Sequence, residues 1–75
     1  MDKGIIALGA AIAIAIAAGA AAIGIGLATG KAAEASARQP EISGKIQAML
    51  LTAIVFIEAT AIYALVVSLL LIFAL

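Results

Sequence analysis

Polar residues cluster in two short segments of this chain, and the stretches outside them are almost wholly apolar. Residues 4–30 contain no charge and a single hydroxyl, Thr29. Residues 46–75 contain one charge, Glu58, set among Ile, Leu, Val, Phe and Ala. Between the two runs lie Lys31, Glu34, Arg38, Glu41 and Lys45. At ~1.5 Å per residue the runs make helices of about 40 and 45 Å. Roughly 20 residues suffice to cross a ~30 Å hydrocarbon core. The pattern predicts an all-α membrane protein built as one transmembrane hairpin. Its first helix covers 4–38, a polar loop 38–44, and its second helix 45–75.

One local pattern points elsewhere. Residues 11–17 read Ala-Ile-Ala-Ile-Ala-Ile-Ala, a period of two that is typical of a strand. An open strand leaves its backbone unsatisfied in lipid, and two apolar runs cannot close a barrel. Ala is also the best helix former. Helix is therefore expected there. Pro40 cannot continue a helix and disfavours helical geometry at Gln39, which places the tight turn at Arg38-Gln39-Pro40. The first helix is expected to run past the bilayer through Ala32 to Ala37. Glu41 and Lys45, spaced i,i+4, are expected to open the second.

Composition narrows the class. The chain has 75 residues, 68% apolar and 11% charged, with a formal net charge of zero. A chain this short and apolar has too little polar surface for a soluble globule. It has no cysteine and no histidine, which removes disulfides, thiol nucleophiles and the usual metal ligands. Four basic residues against four acidic ones argue against a nucleic-acid partner. The apolar stretch after Met1-Asp2-Lys3 exceeds the ~7–15 residues of a signal peptide's apolar region and is read as a permanent segment. Lys31, Arg38 and Lys45 on the loop outnumber Lys3. That bias predicts a cytoplasmic loop with both termini outside.

The first helix consists mostly of Ala, Gly and Ile. Ala18, Ala22, Gly26 and Gly30 step by four along one face, and Ala7, Ala11, Ala15 and Gly19 along what is read as another. Small residues at this spacing let helices approach closely in lipid. Two such faces imply neighbours on both sides, and a repeated contact of that kind closes into a ring when the rotation permits. The stretch from Gly24 to Lys31 looks like a phosphate loop, but Ile25 stands where that motif needs Gly. Thr29 stands where a dinucleotide fingerprint needs Gly or Ala. Neither follows a strand, and no catalytic constellation is present.

Glu58 carries the chemistry. Asp2, Glu34 and Glu41 all lie near Lys or Arg; Glu58 is 13 residues from Lys45 and 17 from Leu75, about 20 and 26 Å along a helix. It falls near mid-bilayer. Its neighbours one turn away, Ile54, Val55, Ala61 and Ile62, are apolar. Hydrocarbon disfavours the anion, so Glu58 must hold its proton or meet a cation from outside the chain. An intramembrane carboxyl marks a functional site. A neutral Glu used only as an interhelical hydrogen bond is the plainer alternative. Thr60 and Tyr63 share a face well round from Glu58, so they reach a carboxyl only across an interface between copies. Gln47, Thr52 and Ser68 are read as singly tolerated polar residues.

With these residues in place the chain resembles the c-type proteolipids that form the rotor ring of the F-type ATP synthases, in their bacterial and chloroplast form. The resemblance rests on Ala37-Arg38-Gln39-Pro40-Glu41, on Gly30-Lys31 before it, and on Glu58 twenty residues after Arg38. It extends through Ile57-Glu58-Ala59-Thr60-Ala61-Ile62-Tyr63. It implies a homo-oligomeric ring with first helices inside and second helices outside, in contact with membrane lipids. Glu58 would be the reversibly protonated carrier, meeting an essential arginine of the stator's membrane component. Arg38, Gln39 and Pro40 would touch the gamma and epsilon subunits of the central stalk. The chain would be a non-catalytic subunit without a cofactor, in a bacterial plasma membrane or, alternatively, a thylakoid membrane.

Two departures from the family pattern bear on detail. The inner helix of the family often carries four alternating glycines; those positions are Ala20, Ala22, Gly24 and Gly26 here. The extra methyls are expected to push inner helices apart. Sodium-binding members usually carry an oxygen-bearing side chain on the first helix near the carboxyl and another just after it. Ile25 and Ala59 occupy those positions, which predicts protons as the transported ion and sodium as the alternative. A structural or pore-forming membrane miniprotein is the rival outside the family. A ring component of a vacuolar-type pump is a further one.

Overall fold

A computed structural model describes residues 2–75 as two long helices packed side by side. Helix α1 runs Lys3–Arg38 and helix α2 Ser43–Ala74. Asp2 caps α1: its Oδ1 accepts from the Gly4 N–H at 3.0 Å, satisfying one of the free amides of the first turn. At the other end Gln39 leaves the helical region, with φ −132° and ψ 71°, since proline disfavours helical geometry in the residue before it. Its N–H still donates to the Ala35 carbonyl at 2.9 Å. Pro40–Ile42 forms one turn of 3-10 helix, closed by the Ile42 N–H donating to the Gln39 carbonyl at 3.1 Å. Glu41 therefore lies in this turn and does not open α2, which begins at Ser43. Residues 11–17 are helical.

The antiparallel helices span 57 × 15 × 7 Å as measured on Cα atoms. Their seam follows residues spaced by three and four, the spacing that keeps one helix face aligned. On α1 it comprises Ala10, Ile14, Ala17, Ala21, Gly24 and Ala28, all buried or half-buried. On α2 it follows Ile46, Leu50, Ala53, Ile57, Ala61, Ala64, Ser68 and Leu71. Small side chains on α1 receive larger ones from α2. Gly24 shows this: a Cβ built there would lie 3.8 Å from Ile57 Cδ1.

This geometry corrects the reading of two small-residue faces. Eleven residues make just over three turns of an α-helix, so the stripe beginning at Ala7 lies only about 20° from the stripe beginning at Ala18. They are one face. All eight of its residues are exposed, and beyond Ala7, which borders Ile72 and Leu75, the face turns progressively away from α2. The second small-residue face of α1 is the seam itself.

Hardly anything is enclosed. Ala10, Ile46 and Ser68 are the buried residues among those described. Phe56, Tyr63 and Phe73 stand 72%, 72% and 82% exposed. An apolar surface this continuous needs an apolar solvent or neighbouring helices. Both helices are long and apolar enough to cross a bilayer, each containing an 18-residue stretch with a mean hydropathy of 2.4.

Candidate functional site

Glu58 sits sixteen residues into α2 and is exposed. It borders a shallow groove with Ile14, Ala61, Ile62 and Leu65, in which it is the sole polar side chain. The axial level of Glu58 on α1 follows from two cross-helix contacts, Gly24 with Ile57 and Ala10 with Ser68. Glu58 comes level with residues 20–23, which are Ala, Ala, Ala and Ile. It has no hydrogen-bond partner among the described residues. Placed in hydrocarbon, such a carboxyl is tolerable when neutral and costly when charged.

Helix geometry fixes which way the carboxyl leaves the hairpin. Ile57 and Ala61 face α1, and Glu58 projects from one flank of α2. Thr60 lies about 160° round from Glu58 and Tyr63 about 140°, at ~100° per residue. Both are exposed. The Thr60 hydroxyl donates to the Phe56 carbonyl of its own helix at 3.4 Å. Within one chain neither side chain approaches Glu58. Ala59 and Ile25 are half-buried and supply no side-chain oxygen. No group of acidic, cysteine or histidine side chains suited to a metal ion occurs among the described residues.

The remaining residues singled out in the sequence fall in two places. Gly24 packs on Ile57, whereas Gly26 and Gly30 have nothing within 4 Å of a built Cβ. Ala18, Ala20 and Ala22 are exposed with them. The alternating Ala20, Ala22, Gly24 and Gly26 thus divide: Gly24 belongs to the hairpin seam, and Ala22 and Gly26 face away from it. Arg38, Gln39 and Pro40 are exposed at the tip of the hairpin.

One residue escapes sequence reasoning. Ser68 is 4% exposed, and its Oγ donates to the Ala10 carbonyl at 2.8 Å. It is no incidental polar residue: this is the one side-chain hydrogen bond between the helices among the described residues. A lone Ser between Val67 and Leu69 carries no pattern that would have revealed it. Thr52, by contrast, bonds only back to the Ala48 carbonyl of its own helix at 3.1 Å.

Two apolar helices, a short basic turn and one carboxyl at mid-helix define a class: a two-span membrane protein with an ionisable group midway along its second helix. The family profile for the ATP synthase C subunit matches residues 8–71, from the first turns of α1 through Glu58 and Ser68. The chain is 59% identical over 70 residues to the ATP synthase c subunit of Ruminiclostridium cellulolyticum, covering 93% of this chain and 91% of that one. It is 56% identical over 71 residues to the corresponding protein of Clostridium botulinum, covering 95% and 89%. A chloroplastic ATP synthase c subunit from Euglena gracilis is 52% identical over 67 residues, covering 89% and 83%. The chain belongs to the ATP synthase C-subunit family, and so is a membrane component without catalytic chemistry of its own.

Proposed function

We propose that this chain is the proton-carrying rotor subunit of an ATP synthase, with Glu58 as the carrier. The observation that supports this best is the setting of Glu58: one carboxyl, mid-helix, on the flank of the hairpin, level with only Ala and Ile of α1. The neutral acid tolerates lipid. The anion requires water or a positive charge. Loading and release are thereby tied to where the carboxyl points.

A ring of hairpins follows from the same surfaces. Glu58 occupies one flank of α2, and Thr60 and Tyr63 lie far round from it, so side-by-side copies bring them toward a neighbour's carboxyl. The exposed small-residue face from Ala7 to Gly30 lets neighbouring α1 helices approach closely. A heterologous contact between identical copies closes into a ring when its rotation divides a full turn. The positive charge that Glu58 lacks would come from an arginine of the stator, and the Arg38-Gln39-Pro40 tip would meet the gamma and epsilon subunits of the stalk. Moving one charge through 100 mV releases about 2.3 kcal/mol, so many carboxyls must act in turn. The basic turn supports a tip in the cytoplasm of a bacterium, with a chloroplast stroma as the alternative.

Protons are favoured over sodium because Ile25 and Ala59 offer no side-chain oxygen. Replacing Glu58 by Gln keeps shape and removes the titrating group. The variant hairpin is expected to insert and assemble, while proton-driven ATP synthesis falls to background. Synthesis retained in Glu58→Gln overturns the proposal and leaves a purely structural membrane protein.

A further inference from the structure

Ser68 has no part in the carrier chemistry described above, yet it is the most enclosed polar side chain among the described residues. Its bond to the Ala10 carbonyl joins positions 58 residues apart. Elsewhere the seam is almost wholly aliphatic, and on α1 it is lined mostly by Ala and Gly, with Ile6, Ile14 and Ile25 among them. A surface of such small side chains resists rotation and sliding of the opposite helix only weakly. Apolar burial gives little direction to helices already in lipid. The Ser68 hydroxyl is therefore the directional restraint between α1 and α2.

That restraint reaches Glu58 through the helix itself. Glu58 and Ser68 are about 15 Å apart along α2. Beyond Gly44 the chain contains no Gly or Pro, the residues at which helices usually kink. A rotation at Ser68 is carried along α2 to the carboxyl. Freed from Ala10, α2 can turn Glu58 toward the seam or further out into lipid.

We infer that Ser68 is a positioning residue, whose bond to the Ala10 carbonyl sets the angle at which α2 presents Glu58; this rests on the carrier reading proposed above. No charged group confounds the effect. The α1 residues level with Glu58 are Ala and Ile, and its own-helix neighbours Ile54, Val55, Ala61 and Ile62 are apolar. Tyr63 is turned away.

The test uses the assembled synthase in its membrane, with Ser68→Ala and Ser68→Thr. Three quantities are read: the pH of half-maximal labelling of Glu58 by dicyclohexylcarbodiimide, the rate of proton-driven ATP synthesis, and thermal dissociation of the oligomer. Ser68→Ala is expected to shift the half-labelling pH and to slow synthesis several-fold. Ser68→Thr, which keeps the hydroxyl, is expected to restore both. An unmoved half-labelling pH in Ser68→Ala overturns the inference, even where thermal dissociation becomes easier, since that is a structural role alone. Failure of Ser68→Ala to assemble, or of Ser68→Thr to restore, overturns it as well. Glu58→Gln serves as the control: synthesis surviving there removes the carrier reading, whereas its loss beside a silent Ser68→Ala removes only the role of Ser68.

Discussion

The carrier role proposed for Glu58 needs a carboxyl that hydrocarbon tolerates when neutral and that gives up its proton reversibly. Its immediate neighbours on α2 are apolar, and α1 offers nothing polar at its level. Thr60 is a different kind of polar residue. Its hydroxyl is held by the Phe56 carbonyl, a bond that does little for helix stability. Thr60→Val should leave the stability of the detergent-solubilised hairpin within about 0.5 kcal/mol, as read by thermal unfolding. A loss of ATP synthesis in the same variant then reports a contact between copies. At Ile25 and Ala59 the absent oxygens make a direct prediction: millimolar sodium should not slow carbodiimide labelling of Glu58 at neutral pH. Protection by sodium would show that the site gathers ligands elsewhere.

At the scale of the elements, the two helices and the break between them were legible in the sequence. The apolar runs exceed a bilayer's requirement, and Pro40 forces Gln39 out of the helix. The azimuth of the helices was not legible. α1 is Ala, Gly and Ile on every side, so no polar stripe marks which face meets α2, and two stripes eleven residues apart look like two faces when they are one. The role of Ser68 was hidden for a related reason: one hydroxyl has no periodicity. Knowing the seam separates two glycines that look equivalent in sequence. A Cβ at Gly24 would make an ordinary contact with Ile57 at 3.8 Å, and Ala is the better helix former. Gly24→Ala should therefore leave the hairpin at least as stable, whereas Gly24→Ile should wedge α1 from α2 and lower its unfolding temperature. Gly26 has open space around it. Gly26→Leu should leave the isolated hairpin intact by circular dichroism yet block assembly, as read by native mass spectrometry. An oligomer of unchanged size would show that this face meets no neighbour.

As a whole molecule the hairpin is nearly all surface. Its large apolar side chains point outward along both helices, so its stability must come from lipid and from further copies as much as from its own seam. The absence of cysteine makes its orientation easy to probe: Gln39→Cys should react with an impermeant maleimide only from the cytoplasmic face. Reaction from the opposite face would invert the topology drawn from the basic turn. The proposed function joins the family relationship to the exposed flank of Glu58, as a ring that would move ions by loading and unloading this carboxyl. Carbodiimides attack the protonated acid, so the most direct measurement is mass spectrometry of the assembled particle after dicyclohexylcarbodiimide treatment near neutral pH. The account predicts a single adduct per chain, on Glu58, formed together with loss of ATP synthesis. A particle whose Glu58 stays unmodified, or whose synthesis survives full modification of that residue, would contradict it.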